Sequence, residues 1–274
     1  MTAPTGFEPS EVRRELLLTR RLLLAAFAAA LAALPFLGLL LLVRTGYAPL
    51  ADLDAEVAQE LNAYARQRPN VVTGLEVLDQ VTSPWTFRAL VLLAVVLLWR
   101  RRRRRLATWA ALTMAVGGLL GVLLKLLVDR ARPVLDAPVS SFPGLSFPSG
   151  HALNSMLGAA ILLLITLPLL GRLGRFAACA LAAVAVIVTG LDRVAIGAHY
   201  VSDVLGGWAL ALALVIGTGT AFGGWRRDNP RAEDSSLPGR RRLSRRPPHP
   251  EGLERLGGSG DRQRHPPTKG LNGR

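Results

Sequence analysis

Residues 100–127 read RRRRRRLATWAALTMAVGGLLGVLLKLL, six arginines followed by an apolar run whose one charged residue is Lys125. A helix needs roughly 20 apolar residues to cross the hydrocarbon core of a bilayer. Membrane proteins keep an excess of Lys and Arg in the loops on their cytoplasmic side. The stretch therefore predicts a membrane-spanning helix that begins at the cytoplasmic face.

The composition of the whole chain agrees with a membrane protein. The 274 residues are 50% hydrophobic and 19% charged, whereas soluble domains carry about 25% charged residues. The net charge of +14 would suggest a nucleic-acid partner, but the cations collect at 100–105 and 226–274, beside long apolar runs. We therefore expect no nucleic-acid partner. The single cysteine, Cys179, excludes intramolecular disulfides and is expected to be buried in its apolar run.

Six apolar runs predict an all-α fold, a polytopic helix bundle with six transmembrane helices inside a membrane domain over 22–225. The runs are 22–43, 84–99, 106–127, 153–170, 176–191 and 204–225. The second run contains Arg88, whose long stem is expected to reach the membrane interface from within about a turn of the helix end.

The positions of Lys and Arg predict the orientation. Basic residues precede the first run, link the second to the third and the fourth to the fifth, and follow the sixth. With six spans these segments lie on one side, the cytoplasm, so that both termini face inward. Arg20-Arg21 resembles a twin-arginine signal, but the 22 apolar residues that follow exceed the usual signal core of about 7–15. We expect a retained anchor and a multi-pass protein of the cytoplasmic membrane.

Three segments lie outside the predicted spans. Residues 1–21 form a basic cytoplasmic N-terminus. In the outer segment 51–83, Leu53, Val57 and Leu61 recur at helical spacing beside acidic residues that include Asp54. This pattern predicts an amphipathic helix that lies on the outer surface or packs on the bundle. Residues 226–274, rich in Pro, Gly and Lys/Arg, predict a disordered cytoplasmic tail with a topological or lipid-binding role.

Ionisable residues collect at the predicted outer ends of the spans and in the loops beside them. They are Lys125, Asp129, Arg130, Arg132, His151, Asp192, Arg193, His199 and Asp203. Ionisable side chains at membrane depth are costly and mark functional sites. We therefore expect the active site at the outer membrane face.

Two histidines lie in the membrane part of the chain, His151 and His199. His199 and Asp203 are four residues apart and would share a helix face. Asp203 could then accept the Nδ1–H of His199 and leave Nε2 free to attack. His151 is placed to protonate a leaving oxygen.

The remaining residues suit a phosphate group. The cations Lys125, Arg132 and Arg193 would bind an anion with several oxygens. Ser149 and Gly150 add a hydroxyl and a backbone N–H at a helix N-terminus. The set predicts phosphoryl transfer through a phosphohistidine, with charge stabilised by side chains and with no metal or other cofactor.

These histidines, cations and polar residues belong to three motifs, which are K-x6-R-P at 125–133, P-S-G-H at 148–151 and R-x5-H-x3-D at 193–203. Their order and spacing resemble the three-part signature of the type 2 phosphatidic acid phosphatase (lipid phosphate phosphatase) superfamily, in its bacterial integral membrane branch. The resemblance covers roughly 89–225. It implies that His199 is the nucleophile, supported by Asp203, and that His151 is the general acid. It also implies the phosphate ligands, which are Lys125, Arg132, Ser149, Gly150 and Arg193, and no metal.

One residue departs from the family pattern. Asp192 stands where the family usually has Ser before the third-motif arginine. A carboxylate that pointed into the site would repel a phosphate. We therefore expect Asp192 to face away from it, toward Arg130.

The predicted function is an integral membrane phosphatase that removes the terminal phosphate of a lipid phosphate or diphosphate at the outer face. Undecaprenyl diphosphate, phosphatidylglycerol phosphate and phosphatidic acid are the lipid types that the resemblance implies. The sequence carries no signal for an oligomeric state. A phosphotransferase that uses a lipid diphosphate and a non-catalytic membrane scaffold remain alternatives. A transporter is disfavoured because the ionisable residues lie at one face, and a metal hydrolase because few further ligands adjoin His199.

Overall fold

The computed structural model describes residues 9–140 and 142–222, and helices are the only regular secondary structure in these residues. The eight α-helices are α1 (Pro9–Arg44), α2 (Ala48–Arg66), α3 (Pro69–Val81), α4 (Pro84–Arg100), α5 (Arg104–Val128), α6 (Gly150–Thr166), α7 (Arg172–Ala195) and α8 (Val201–Phe222). A short 3₁₀ turn, Leu167–Leu169, follows α6. The predicted tail at 226–274 and the first eight residues lie outside the described part of the chain.

Within the described residues, six helical segments are long and apolar enough to cross a membrane. They are Ala26–Arg44, Pro69–Arg100, Arg104–Val128, Gly150–Leu169, Arg172–Ala195 and Val201–Phe222. The predicted all-α bundle with six spanning helices is confirmed. The second segment joins α3 to α4 and is longer than the predicted run at 84–99.

Local sequence explains where several helices begin and end. Pro49, Pro69 and Pro84 lie in the first turns of α2, α3 and α4. Proline suits this position because its φ is already helical and the missing N–H would have no partner there. Ser83 caps α4 by accepting the N–H of Thr86.

The core lies where α6 meets its neighbours. Helix α6 packs against α4, α5, α7 and α8, while α1 runs along α8. The buried cluster includes Phe36, Trp109, Leu157, Ile161 and Leu210. Large apolar side chains also cover the outside of the spanning helices, as a lipid-facing surface requires.

The segment at 51–83 is helical and packs on the bundle, which is one of the two alternatives that its pattern left open. It forms two helices, α2 and α3, and the buried face of α2 carries Asp54, Ala58, Asn62 and Ala65. Leu53 is half exposed, so this leucine of the predicted apolar face does not belong to the buried face of α2. The small side chains on this face let α2 pack closely on α7 and α8, and the charge of Asp54 is paired with that of Arg130.

Two further expectations are corrected. Cys179 is exposed on the surface of α7 rather than buried, because its apolar run faces outward from the bundle at this position. Arg88 does not extend past the end of α4. Its Nε donates to Asn154 Oδ1 of α6 over 2.9 Å, since a buried amide inside the bundle offers the guanidinium a hydrogen-bond acceptor.

Candidate active site

The residues of the three sequence motifs lie at one end of the bundle. Lys125 lies near the end of α5, Ser149 to His151 at the start of α6, Arg193 near the end of α7 and Asp203 in the first turn of α8. The loop between α5 and α6 folds over this end, where the N–H of Ser149 donates to the carbonyl of Asp203 over 3.0 Å. A Cβ at Gly207 would lie 2.8 Å from the Ser149 carbonyl oxygen. This close approach of α8 therefore requires glycine.

His199 lies in the turn between α7 and α8 and is 3% exposed. Gly197, with φ of +83°, reverses the chain just before it, and the N–H of His199 donates to the carbonyl of Arg193 over 3.1 Å. Its Nδ1 lies 3.5 Å from Asp203 Oδ2 and 3.4 Å from Ser146 Oγ. Burial lowers the pKa of His199 to about 4, against the opposing attraction of Asp203. The imidazole is therefore neutral at pH 7.

Asp203 is held on both carboxylate oxygens and is completely buried. Oδ2 accepts the N–H of Tyr200 over 2.9 Å and the hydroxyl of Ser146. Oδ1 accepts from Arg130 Nη1 over 2.7 Å. These bonds fix the carboxylate with Oδ2 toward His199. At 3.5 Å the contact of Oδ2 with His199 Nδ1 is longer than a normal hydrogen bond.

Arg130 links Asp203 to α2. Its Nη2 donates to Asp54 Oδ2 over 2.8 Å, and Asp54 also accepts the N–H of Ser202 over 2.9 Å and its hydroxyl. The guanidinium lies 4.2 Å from the ring centre of Tyr200. Burial opposes the charge of Arg130, but Asp203 and Asp54 outweigh it and raise the pKa of this guanidinium.

Arg193 is 1% exposed and is surrounded by acceptors. Its Nε donates to Asp192 Oδ2 over 2.9 Å, and Nη2 donates to the same oxygen. Its Nη1 lies 2.5 Å from Asp79 Oδ1 and 3.5 Å from His151 Nε2. His151 Nε2 lies 3.2 Å from the same Asp79 oxygen.

The partner expected for Asp192 is therefore wrong. Asp192 pairs with the adjacent Arg193, whereas Arg130 pairs with Asp54 and Asp203. Both nitrogens Nη1 and Nη2 of Arg130 are already paired with carboxylates of α8 and α2. Arg193 directly follows Asp192 in the sequence, and its guanidinium is within reach of that carboxylate. Asp192 is buried, and its Oδ1 has no hydrogen-bond partner within the described residues.

The two other expected cationic phosphate ligands, Lys125 and Arg132, donate to backbone carbonyls. Lys125 Nζ donates to the Leu145 carbonyl over 2.6 Å, and Arg132 Nη1 donates to the Ala198 carbonyl over 2.7 Å. Burial lowers the pKa of Arg132, and the charge of Arg193 lowers it further against the attraction of Asp203. Ser149 caps α6 by accepting the N–H of Ala152, and space is open beside the Cα of Gly150. An ammonium carries three N–H donors and a guanidinium five, so Lys125 and Arg132 have more donors than these contacts use.

Three contributors were missed by sequence reasoning. Ser146 and Asp79 lie outside the motifs, and no spacing marks them. Asp54 had a signal, since Asp54, Ala58, Asn62 and Ala65 form a stripe of small and polar residues at helical spacing. Such a stripe is typical of a face that packs closely on another helix.

Part of the chain is similar to known proteins. Residues 106–227 match the family model of the PAP2 superfamily. Phosphatidylglycerophosphatase B of Bacillus subtilis (strain 168) is 36% identical over 114 residues, which cover 39% of this chain and 55% of that protein. The chain thus spans about half the length of this curated relative.

A solved structure shares the fold. It is the crystal structure of the first transmembrane PAP2 type phosphatidylglycerolphosphate phosphatase from Bacillus subtilis, with a TM-score of 0.63 and 23% identity. The match covers 74% of this chain and 99% of that one. Together with the six apolar helices, it identifies the chain as a multi-pass membrane protein.

Proposed function

Since residues 106–227 match the family model of the PAP2 superfamily, we propose that this chain is an integral membrane phosphatase that hydrolyses the terminal phosphate of a lipid phosphate or diphosphate. The observation that carries the proposal is the buried, neutral His199, whose Nδ1 faces Asp203 Oδ2 at 3.5 Å. No hydrogen bond within the described residues engages its Nε2. A neutral imidazole with a carboxylate behind it is a competent nucleophile.

In the first half-reaction, His199 Nε2 attacks the terminal phosphorus and forms a P–N bond. The bond from phosphorus to the leaving oxygen breaks, and His151 donates a proton to that oxygen. Asp203 stabilises the imidazolium that develops on His199. The products are the dephosphorylated lipid and phosphohistidine.

In the second half-reaction, His151 accepts a proton from water as the water oxygen attacks phosphorus. The P–N bond breaks, His199 is restored and inorganic phosphate leaves. Arg193, Arg132 and Lys125 stabilise the charge on the phosphoryl oxygens in both steps. In this proposal these side chains, with Ser149 and Gly150, supply the charge stabilisation without a metal ion.

The substrate is a membrane lipid whose tail stays in the bilayer while its head group enters the site. Phosphatidylglycerol phosphate is our first candidate, because the 36% identical relative is named a phosphatidylglycerophosphatase. Undecaprenyl diphosphate and phosphatidic acid present the same terminal group. The positions of Lys and Arg support a site at the outer face of the cytoplasmic membrane, with both termini inside.

A panel assay tests this function. The purified full chain, in lipid nanodiscs with EDTA, is given each of the three lipids, and released phosphate is measured against a His199→Ala control. We expect phosphate release from at least one lipid and none from the control. Release that requires an added divalent cation would contradict the metal-free mechanism. Phosphate transfer to a lipid or sugar hydroxyl in place of water would identify a phosphotransferase.

A further inference from the structure

Helix α3 places a carboxylate among the residues assigned to phosphate. Asp79 Oδ1 lies 2.5 Å from Arg193 Nη1 and 3.2 Å from His151 Nε2. Asp79 lies outside residues 106–227, the part that matches the family model.

The contacts place this oxygen where a substrate oxygen would have to lie. Nε and Nη2 of Arg193 donate to Asp192, so Nη1 is the nitrogen that faces His151. In the proposed mechanism Arg193 meets a phosphoryl oxygen and His151 Nε2 meets the leaving oxygen, so the substrate places oxygens of one phosphate group beside both nitrogens. Asp79 Oδ1 contacts that same pair of nitrogens.

We propose that Asp79 occupies the phosphate position in the empty site and that an entering phosphate displaces it. This inference rests on the proposed function, because it takes Arg193 and His151 as the groups that meet the phosphate. Asp79 is then an internal competitor for anions. An anion can bind only in the fraction of molecules in which Asp79 has left the position. The apparent affinity of every anion is the intrinsic affinity multiplied by that fraction.

The structure of α3 allows the displacement. The side chain of Asp79 is 31% exposed, so a displaced carboxylate can turn away from Arg193 without entering the packed core. Leu75 is the one buried residue among the thirteen of this helix, while Val77 and Val81 are exposed. Both a rotation of the Asp79 side chain and a small movement of α3 would therefore disturb few packed groups.

The competition sets a threshold for binding. A terminal phosphate carries more negative charge than a carboxylate and gains more from the cations of the site. The diester phosphate of an ordinary membrane phospholipid carries one charge and gains less. When both affinities fall by the same factor, the diester stays out of the site at concentrations where the terminal phosphate still binds.

The test measures anion binding directly. Inorganic phosphate and dimethyl phosphate are titrated by calorimetry into the full-length protein, wild type and Asp79→Asn. If Asp79 occupies the position nine-tenths of the time, its removal tightens both Kd values by about tenfold. Glu76→Gln removes the same charge from an exposed position of the same helix and should leave both values unchanged. Asp79→Glu, which keeps the charge, should remain close to wild type.

The outcomes separate the two proposals. Equal or weaker phosphate binding by Asp79→Asn would overturn the role of Asp79, even if the wild type hydrolyses lipid phosphates. Tighter binding by Asp79→Asn supports that role whether or not a lipid substrate has been found. Failure of every variant to bind phosphate would overturn both proposals. Asp79→Ala is measured alongside, so that the result does not depend on the folding of one variant.

Discussion

Arg130 donates from Nη1 to Asp203 Oδ1 over 2.7 Å, on the carboxylate oxygen that does not face His199. Its second nitrogen, Nη2, donates to the fully buried Asp54 over 2.8 Å. A segment that precedes the family-matched residues 106–227 is thereby connected to the carboxylate behind the proposed nucleophile. Asp54 and Arg130 act through Asp203 and are positioning residues.

Asp54→Asn should lower kcat and leave KM nearly unchanged. The amide keeps a bond to Ser202 but removes the charge that holds Arg130, so Asp203 loses part of its fixed orientation. Removing one partner from a buried, charged hydrogen bond costs about 1–3 kcal/mol, and we expect a lower melting temperature as well. Steady-state kinetics and thermal unfolding measure the two effects. Asp52→Asn, at an exposed position of the same helix, is the matched control, and an equal loss in both variants would count against the link.

The pH dependence of the first chemical step should reflect the ionisation of His199. Burial lowers its pKa from 6.5 to about 4, so the nucleophilic neutral form persists well below pH 6.5. The same shift makes the stability contribution of His199 complete above pH 6.5 and lost as the pH falls toward 4, because the unfolded chain takes up the proton first.

The measurement is kcat/KM for an aryl phosphate with a good leaving group, since kcat/KM reports the groups of the unbound enzyme. We expect the acidic limb of the profile to lie well below pH 6.5. The His151→Ala variant is run in parallel, because a good leaving group needs no general acid. An acidic limb at or above pH 6.5 in both proteins would be inconsistent with a buried, neutral nucleophile.

His151→Ala should affect substrates according to their leaving group. Loss of the general acid should slow lipid phosphate hydrolysis by about 10²–10⁴-fold. An aryl phosphate should still phosphorylate His199 with little loss. The initial release of the aryl alcohol and the later release of phosphate are measured separately. Equal losses for both kinds of substrate would show that His151 does not protonate the leaving oxygen.

Much of the architecture could be predicted because it depends on local patterns. Run length and the positions of Lys and Arg predict spanning helices, and the three motifs led to the PAP2 superfamily, which the match at 106–227 bears out. Partners across helices depend on packing instead. Nothing in the spacing of residues along α3 indicates that Asp79 contacts Arg193. Likewise, the sequence does not show that Asp54 is buried and paired with Arg130 from another part of the chain. Cys179 lay in an apolar run that faces outward rather than inward.

The orientation of the chain is tested by labelling. In a Cys179→Ser background, a cysteine at Val134, which is 87% exposed in the loop between α5 and α6, should react with a membrane-impermeant thiol reagent in intact cells. A cysteine at Arg103, exposed between α4 and α5, should react only after lysis. The reverse pattern would place the site in the cytoplasm and remove outer-leaflet lipids from the candidate substrates.

The central claim is that the phosphoryl group passes through His199, and trapping it is the most direct test. The full-length protein is mixed with a lipid phosphate that carries ³²P in its terminal group and is denatured within the first turnover. The account predicts a label on His199 that is stable in base and lost in acid, and that is absent from His199→Ala. Rapid hydrolysis by the wild type without any labelled histidine, or undiminished turnover by His199→Ala, would contradict it.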